Sequence, residues 1–145
     1  MFDPSIVAAA ARTKEVELTT YGRKTGKPSR RTIWITALDE RLYIRSGLGM
    51  TRDWPKNLVA NGRGVLHLGG QDIAVRARHV TDAGEARSLH APIRGKYNAE
   101  RTMSRGDQPL TPSEQAVFEL FPETAWSRSA ISASGLPRSA TPGSP

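Results

Sequence analysis

The chain has 145 residues, which is enough for one domain built around one hydrophobic core. It contains no cysteine, which excludes disulfides, thiolate metal sites and a cysteine nucleophile. The formal net charge of +7 predicts an anionic partner: a nucleic acid, an anionic membrane surface or a phosphorylated small molecule. No apolar run approaches the ~20 residues of a membrane span, and residues 1–11 lack the basic and apolar regions of a signal peptide, so we expect a cytoplasmic protein.

The first segments predict a short helix followed by a β-hairpin. Residues 5–13 are rich in alanine and can form a helix, with Asp3 or Ser5 as its N-cap. Because alanine buries little area, we expect this helix to dock loosely. Residues 15–21 and 30–38 alternate apolar and polar side chains on either side of a glycine-rich turn, which is typical of a hairpin.

The turn of this hairpin is strongly basic. Its cations, and those that directly follow it, are Arg23, Lys24, Lys27, Arg30 and Arg31. Gly22 and Gly26 allow positive φ angles, so several backbone N–H groups can converge on one point. Cations and converging amides suit a phosphate group. The alternative interpretation is a solvated hairpin tip that is merely basic.

The middle of the chain predicts more strands and short helices. Residues 42–46 alternate as a third strand, and 54–60 form a short helix preceded by Asp53. Residues 65–68 and 73–78 predict two strands joined by a glycine pair, which is a two-residue hairpin signal.

The last third of the chain is less regular. Residues 82–97 predict a helical segment interrupted by proline and glycine, and 99–114 show no periodicity. A loop of that length is often functional or mobile. Residues 116–121 predict a final strand. Six strands in a meander favour a small closed barrel. The predicted organisation is an N-terminal arm (1–14), a barrel domain (15–122) and a disordered tail (123–145).

Side-chain motifs indicate no covalent or metal mechanism. The three histidines lack metal-ligand spacing, and the chain has no nucleophile elbow, phosphate-binding loop or dinucleotide-binding motif. Chemistry supplied by a cofactor is then the natural option. Trp54 and Asn57 share one face of the predicted helix, and Trp34 lies on the second strand. These side chains could hold a flat heteroaromatic ring, and ordinary core packing is the alternative.

Two blocks of sequence resemble a known family. The run Leu-Thr-Thr-Tyr-Gly-Arg-Lys-Thr-Gly-Lys-Pro at 18–28 resembles the start of the deazaflavin-dependent nitroreductase family of split β-barrel proteins. The run Trp-Pro-Lys-Asn-Leu-Val-Ala-Asn at 54–61 is similar to a second block of that family. The likeness covers about residues 15–121. It implies a mainly β, α+β fold: a single six-stranded antiparallel split β-barrel of the FMN-binding type, with short helices.

The resemblance also implies a cofactor and the residues that hold it. The cofactor is coenzyme F420 or, in related branches, FMN. The basic hairpin holds its phosphate and acidic tail, and the segment after the third strand lines the rest. The implied cofactor-binding residues are Arg23, Lys24, Gly26, Arg30, Arg31, Trp34, Ser46, Gly47, Trp54 and Asn57. Tyr97 is the candidate catalytic proton donor, and no metal is implied.

The sequence departs from the family pattern at three places. Ser46 is not followed by the family's lysine, and Arg45 or Arg52 can take its place. The family's tyrosine-rich substrate segment is reduced to Tyr97, and a proline usual in the second strand is absent near Thr32.

The expected function is F420-dependent transfer of a hydride to an electron-poor small molecule such as a quinone, an enone or a nitro compound. The alternatives are an FMN-binding split-barrel protein and a carrier of F420 or flavin without catalysis. Nucleic-acid binding is not favoured, since the aromatic residues do not interleave with the basic ones as stacking platforms do. A homodimer is possible, and membrane contact has no support in the sequence.

Overall fold

The structure is a computed structural model that describes residues 2–97 and 102–123. The predicted tail lies outside the described residues from position 124 onward, and the predicted long loop is described only from position 102. The six strands of the described chain are β1 (Glu15–Tyr21), β2 (Pro28–Leu38), β3 (Arg41–Arg45), β4 (Arg63–Leu68), β5 (Gln71–Val80) and β6 (Val117–Pro122). The helices are α1 (Pro4–Arg12), α2 (Asp53–Asn61), α3 (Ala83–Arg87) and α4 (His90–Arg94), with a 3₁₀ turn at Gly49–Thr51.

The six strands form one closed antiparallel barrel in the order β1-β2-β3-β6-β5-β4. This confirms the predicted six-stranded barrel, and closure pairs both edges of every strand. The predicted hairpins β1–β2 and β4–β5 are both present. In the second of them, Gly69 and Gly70 have φ angles of 63° and 75°, as a turn with two left-handed residues requires.

The barrel interior is filled by alternate strand residues. Leu18, Ile35, Leu66, Val75 and Phe118 are each 0% exposed and belong to one apolar cluster. Their neighbours in sequence point outward because successive strand side chains alternate between the two faces. The alternation noted in the sequence therefore places the core correctly.

Helix α1 covers part of this core, which corrects the expectation of a loosely docked helix. The side chain of Asp3 caps the helix by accepting from the backbone N–H of Ser5 at 2.8 Å. Ile6 and Ala10 are 5% and 0% exposed and belong to the barrel cluster, as does the preceding Phe2. The small alanine side chains allow the helix to approach the strands closely, so its contact is tight although each side chain is short.

A second apolar layer lies on the outer face of the barrel. Helices α3 and α4 and the segment 102–116 cover it, and its core includes Tyr43, Leu89, Ile93 and Val117. The predicted single helical segment at 82–97 is thus two short helices. Pro92 falls within the first turn of α4, where its missing N–H costs nothing, so the break precedes it.

The segment 102–116 is irregular, as predicted, but it packs around a buried carboxylate. Glu114 is 0% exposed. It accepts hydrogen bonds from the backbone N–H groups of Ser104 and Thr111, each at 2.9 Å, and its Oε2 lies 2.6 Å from Nε2 of His90. The carboxylate therefore ties the described part of this loop to α4.

Lys96 fastens the end of the second layer to the barrel. Its Nζ donates to the backbone carbonyls of Thr13 at 2.6 Å and Ile35 at 2.8 Å, and also to that of Ala10. The carbonyls of Ala10 and Thr13 lie at the C-terminal end of α1, where carbonyls lack partners inside the helix. One ammonium group thus joins α1, β2 and the residues after α4.

We expect Lys96→Met to lower the free energy of unfolding by about 2 kcal/mol, because three carbonyls lose a charged donor while the apolar stem is kept. Lys56→Met, at an exposed position of α2, is the matched control and should stay within about 0.5 kcal/mol of the wild type. Urea denaturation of the three proteins measures both values. Equal midpoints for Lys96→Met and the control would contradict the anchoring role.

Candidate functional site

A groove of about 430 Å³ opens where β2, the end of β3 and the start of α2 meet. Its lining residues are Arg31, Thr32, Ile33, Trp34, Arg45, Ser46, Gly47, Leu48, Arg52, Asp53 and Trp54. Two tryptophans and three arginines therefore face one space. Aromatic walls with a few converging polar groups are typical of a site for a small molecule or cofactor.

A tight turn at Gly49, between β3 and α2, shapes this groove. Gly49 has a φ angle of 76°, and a Cβ atom at this position would lie 2.9 Å from Pro112. A glycine is therefore required both by the backbone angle and by the contact with the outer loop. The turn directs the chain into α2, so the first residues of that helix border the groove.

A second depression of about 310 Å³ lies over the basic hairpin. It is lined by Gly22, Arg23, Lys24, Thr25, Lys27, Pro28, Ser29, Asp53 and Asn57. Asp53 lines both spaces, so the depression and the groove adjoin at this carboxylate. Its Oδ1 lies 3.6 Å from Nη2 of Arg23. An aromatic space and a cationic space thus meet at one acidic residue.

Asn57 connects the hairpin to α2. It is 4% exposed, and its Oδ1 accepts from the backbone N–H of Arg23 at 3.2 Å and from Nη1 of Arg23 at 3.0 Å. Its Nδ2 donates to Oγ1 of Thr20 at 3.3 Å. The amide therefore orients Arg23 in the depression.

The structure divides the implied cofactor-binding residues between the two spaces. The groove contains Arg31, Trp34, Ser46, Gly47 and Trp54, and the depression contains Arg23, Lys24 and Asn57. Residues that are 34 positions apart in sequence, such as Arg23 and Asn57, are in direct contact.

Gly26 and Arg30 line neither space. Gly26 has a φ angle of 72°, which the hairpin turn needs. The guanidinium of Arg30 instead forms an ion pair with Glu17 on the neighbouring strand. Arg30 and Arg31 point to opposite faces because they are successive strand residues, so only Arg31 reaches the groove.

Each of the two tryptophans that line the groove has an aromatic neighbour. Trp34 is stacked on Tyr97, with ring centroids 4.3 Å apart and planes 10° apart. Trp54 is 8% exposed and tilts against Phe118 at 6.0 Å in the barrel core. The outer layer therefore holds Trp34 and the barrel core holds Trp54, and both line the groove as fixed walls.

The hydroxyl of Tyr97 faces the backbone and not the groove. It lies 2.9 Å from the carbonyl oxygen of Ile35 and also contacts that of Lys14. Burial raises the pKa of Tyr97 to about 12, although the charge of Arg45 opposes this shift. The ring lines a small cavity behind Trp34. Its catalytic role stays a prediction, and it requires the hydroxyl to leave these carbonyls.

Arg45 is a groove residue that the implied site did not include. It is 4% exposed, and its Nη2 donates to Oγ1 of Thr102 at 2.7 Å. Burial lowers the pKa of Arg45, and the charge of Glu114 partly offsets this. The absence of the family's lysine after Ser46 was the signal in the sequence that drew attention to Arg45 and Arg52. The sequence indicated Asp53 only as a candidate N-cap, and this was wrong: Asp53 is the first residue of α2, and the cap position is Arg52, whose side chain makes no capping hydrogen bond.

The described residues, 2–97 and 102–123, contain neither a candidate metal site nor a candidate membrane-spanning helix. No group of three or more histidine and acidic side chains among them is arranged to hold a metal ion. None of their helices is long and apolar enough to cross a membrane.

Solved structures with this fold carry different functions. The chain is similar to a protein from Listeria innocua assigned as a pyridoxamine 5′-phosphate oxidase, with a TM-score of 0.59 and 17% identity over 82% of this chain and 91% of that one. It is similar to a domain-swapped dimer (TM-score 0.58, 19% identity, 74% and 80% of the two chains) and to an F420 reductase (0.52, 15%, 83% and 95%). At these identities the likeness shows the split-barrel fold alone.

No curated protein matches the sequence. A family model does match it, over residues 7–118, a range that includes β1 to β5, α2 to α4, most of α1 and the start of β6. The matched range contains every residue that lines the groove and the hairpin depression. The chain belongs to the family of uncharacterized proteins conserved in bacteria, DUF2255.

Proposed function

We propose that this protein binds a phosphorylated flavin-type cofactor, F420 in preference to FMN, and uses it to reduce an electron-poor small molecule. The observation that carries the proposal is the junction at Asp53, where a groove with aromatic walls meets a cationic depression. A ligand that joins a flat ring to an anionic tail would span both spaces.

The groove suits the ring portion. Trp34 is fixed by Tyr97 on one side, and Trp54 is fixed by the barrel core. A rigid wall loses little conformational entropy when a ring binds against it. Gly47 presents backbone without a Cβ atom, and open space surrounds the position that a Cβ would occupy, so a ligand can approach closely there.

The hairpin depression suits the anionic tail. The side chains of Lys24 and Lys27 show no ion pair or hydrogen bond with other described residues. Arg23 is oriented by Asn57 and faces the same space. Several cations that lack internal partners attract a polyanion and bind its oxygens.

The cofactor would supply the hydride chemistry, and the residues of this chain would bind and orient it. The walls formed by Trp34, Ile33 and Trp54 exclude water from one side of the ring. A small-molecule electron acceptor and a homodimer belong to the proposal. The exposed Leu48 at the groove, with 57% of its surface accessible, is consistent with a covering partner.

A carrier without catalysis is the second candidate. It is favoured by the groove lining, which contains neither histidine nor tyrosine in the described part of the chain, while the hydroxyl of Tyr97 is engaged with backbone carbonyls. In a reductase with this lining, the proton for the reduced product would come from water. Oxidation of F420H2 in the presence of menadione, followed by absorbance, separates the two candidates: turnover supports the reductase, and binding without turnover supports the carrier.

We expect F420 to bind more tightly than FMN, with an affinity that falls more steeply as salt rises. F420 carries more negative charge along its tail, and the two spaces offer more cations than one phosphate needs. Fluorescence titrations of both cofactors at two ionic strengths measure affinity and salt dependence. If FMN bound as tightly as F420 with the same salt dependence, FMN would replace F420 as the proposed cofactor.

A further inference from the structure

Arg45 is a buried cation with incomplete hydrogen bonding. Its side chain lines the groove, yet the residue is 4% exposed. Nη2 donates to Thr102, but Nε and Nη1 are shielded from solvent and have no acceptor among the described residues. A guanidinium carries five N–H donors, and the three on Nε and Nη1 have no acceptor among residues 2–97 and 102–123.

This arrangement is costly for the folded protein. A buried donor without a partner costs about 1–3 kcal/mol, and more when the group is charged. The charge of Glu114 acts on Arg45, but no ion pair joins them. A cavity of about 10 Å³ behind Trp34 also touches Arg45, and one water molecule there would satisfy at most part of the deficit. Costs of this kind concentrate at functional sites.

The surroundings of Arg45 indicate what would satisfy it. In the β2–β3 register Arg45 pairs with Trp34, so both side chains lie on the same outer face at the inner end of the groove. Arg31 and Arg52 line the same groove, and among the described residues Asp53 is the one acidic residue that lines it. The acceptor that best fits a desolvated guanidinium is an oxyanion.

We propose that Arg45 is a ligand-binding residue that receives an oxyanion, a phosphate or a carboxylate, at the inner end of the groove. This subsite is separate from the hairpin cations, because the carboxylate of Asp53 lies between the two spaces and pairs with Arg23. The proposal rests on the proposed function for the identity of the whole ligand, but not for the subsite itself. A ligand with two separated anionic groups would use both spaces.

The test compares Arg45→Met with the parent protein, using inorganic phosphate as the probe and the full chain as the protein. The hairpin cations would also bind phosphate, so the comparison is made in a Lys24→Gln, Lys27→Gln background. Phosphate should raise the melting temperature of this parent, and Arg45→Met should abolish that increase. Without phosphate, Arg45→Met should melt at the same temperature as the parent or higher, since an apolar chain replaces a poorly satisfied buried charge.

Two further variants make the result decisive. Arg12→Met removes an exposed arginine outside both spaces and should keep the full phosphate response. Arg45→Lys keeps the charge without the planar fork and should weaken phosphate binding about tenfold or more. The subsite is wrong if Arg45→Met responds to phosphate as its parent does. If Arg45→Met does not fold, unchanged phosphate affinity in Arg45→Lys overturns the subsite instead.

Cofactor titrations separate this inference from the proposed function. Riboflavin and FMN differ by the phosphate, so loss of affinity for FMN alone in Arg45→Met assigns the oxyanion to the phosphate. Equal losses for both would overturn the oxyanion subsite, because riboflavin carries neither a phosphate nor a carboxylate. If F420 and FMN fail to bind while phosphate protection still depends on Arg45, the proposed function fails and the subsite stands. If F420 and FMN each bind Arg45→Met as tightly as they bind the protein with Arg45, the subsite fails and the proposed function stands.

Discussion

Reversing one charge in each space, by Lys24→Glu together with Arg31→Glu, should weaken F420 binding about 100-fold at low salt. Lys24 lines the hairpin depression and Arg31 lines the groove. A charged hydrogen bond contributes about 1.5–3 kcal/mol, and reversal adds repulsion to its loss. The loss should shrink at high salt, because ions screen exposed charges. Fluorescence titration at low and high ionic strength measures both effects.

These positions are chosen because neither change should disturb the fold. Arg23 is excluded from the variant, since its guanidinium and backbone N–H both bond to Asn57 and so support the structure. Lys14→Glu with Arg12→Glu makes the same change of net charge at exposed positions outside both spaces. Equal affinities in the two double variants would show that net charge alone, and not the site, attracts the cofactor.

Replacing the buried Glu114 by glutamine should lower the free energy of unfolding by about 3 kcal/mol at neutral pH. Burial disfavours the carboxylate, but hydrogen bonds from Ser104, Thr111 and His90 outweigh it and lower the pKa of Glu114 to about 2. The difference from the ordinary carboxyl pKa corresponds to roughly 3 kcal/mol in favour of the folded, ionised state. A glutamine also turns one N–H donor toward groups that are themselves donors.

Glu114 should also make the free energy of unfolding depend on pH, and its lowered pKa determines the direction. Because the pKa of Glu114 is lower in the folded chain, its contribution is complete above the ordinary carboxyl pKa and is lost as the pH falls toward about 2. Urea denaturation at pH steps across that range should show a steeper loss for the wild type than for Glu114→Gln. Asp107→Asn, an exposed change in the same segment, is the control. Parallel curves for all three proteins would contradict the assignment.

The strands and turns of the barrel can be predicted from local patterns, because strand alternation and turn chemistry depend on residues that are close in sequence. The period-two runs of β1 and β2, and the glycine pair between β4 and β5, each specify structure within about ten residues. The close docking of α1 could not be read in this way. A single alanine side chain buries little apolar area. Only the shape of the barrel surface determines whether several alanines of α1 can pack closely against it.

The candidate site shows the same division. The cations and tryptophans could be named from the sequence. Strand alternation alone explains why Arg30 and Arg31 point to opposite faces, so that only Arg31 lines the groove. The junction at Asp53 depends on the contact between α2 and the hairpin, and the incomplete bonding of Arg45 depends on its burial next to Thr102 in the outer layer. Both bring together segments that are distant in the chain. So does the engagement of Tyr97 with the carbonyl of Ile35. By itself the sequence determined the strands, the turns and the kinds of side chain available. Only the tertiary structure decided which polar atoms are already satisfied, because hydrogen-bond partners and burial arise when distant segments pack together.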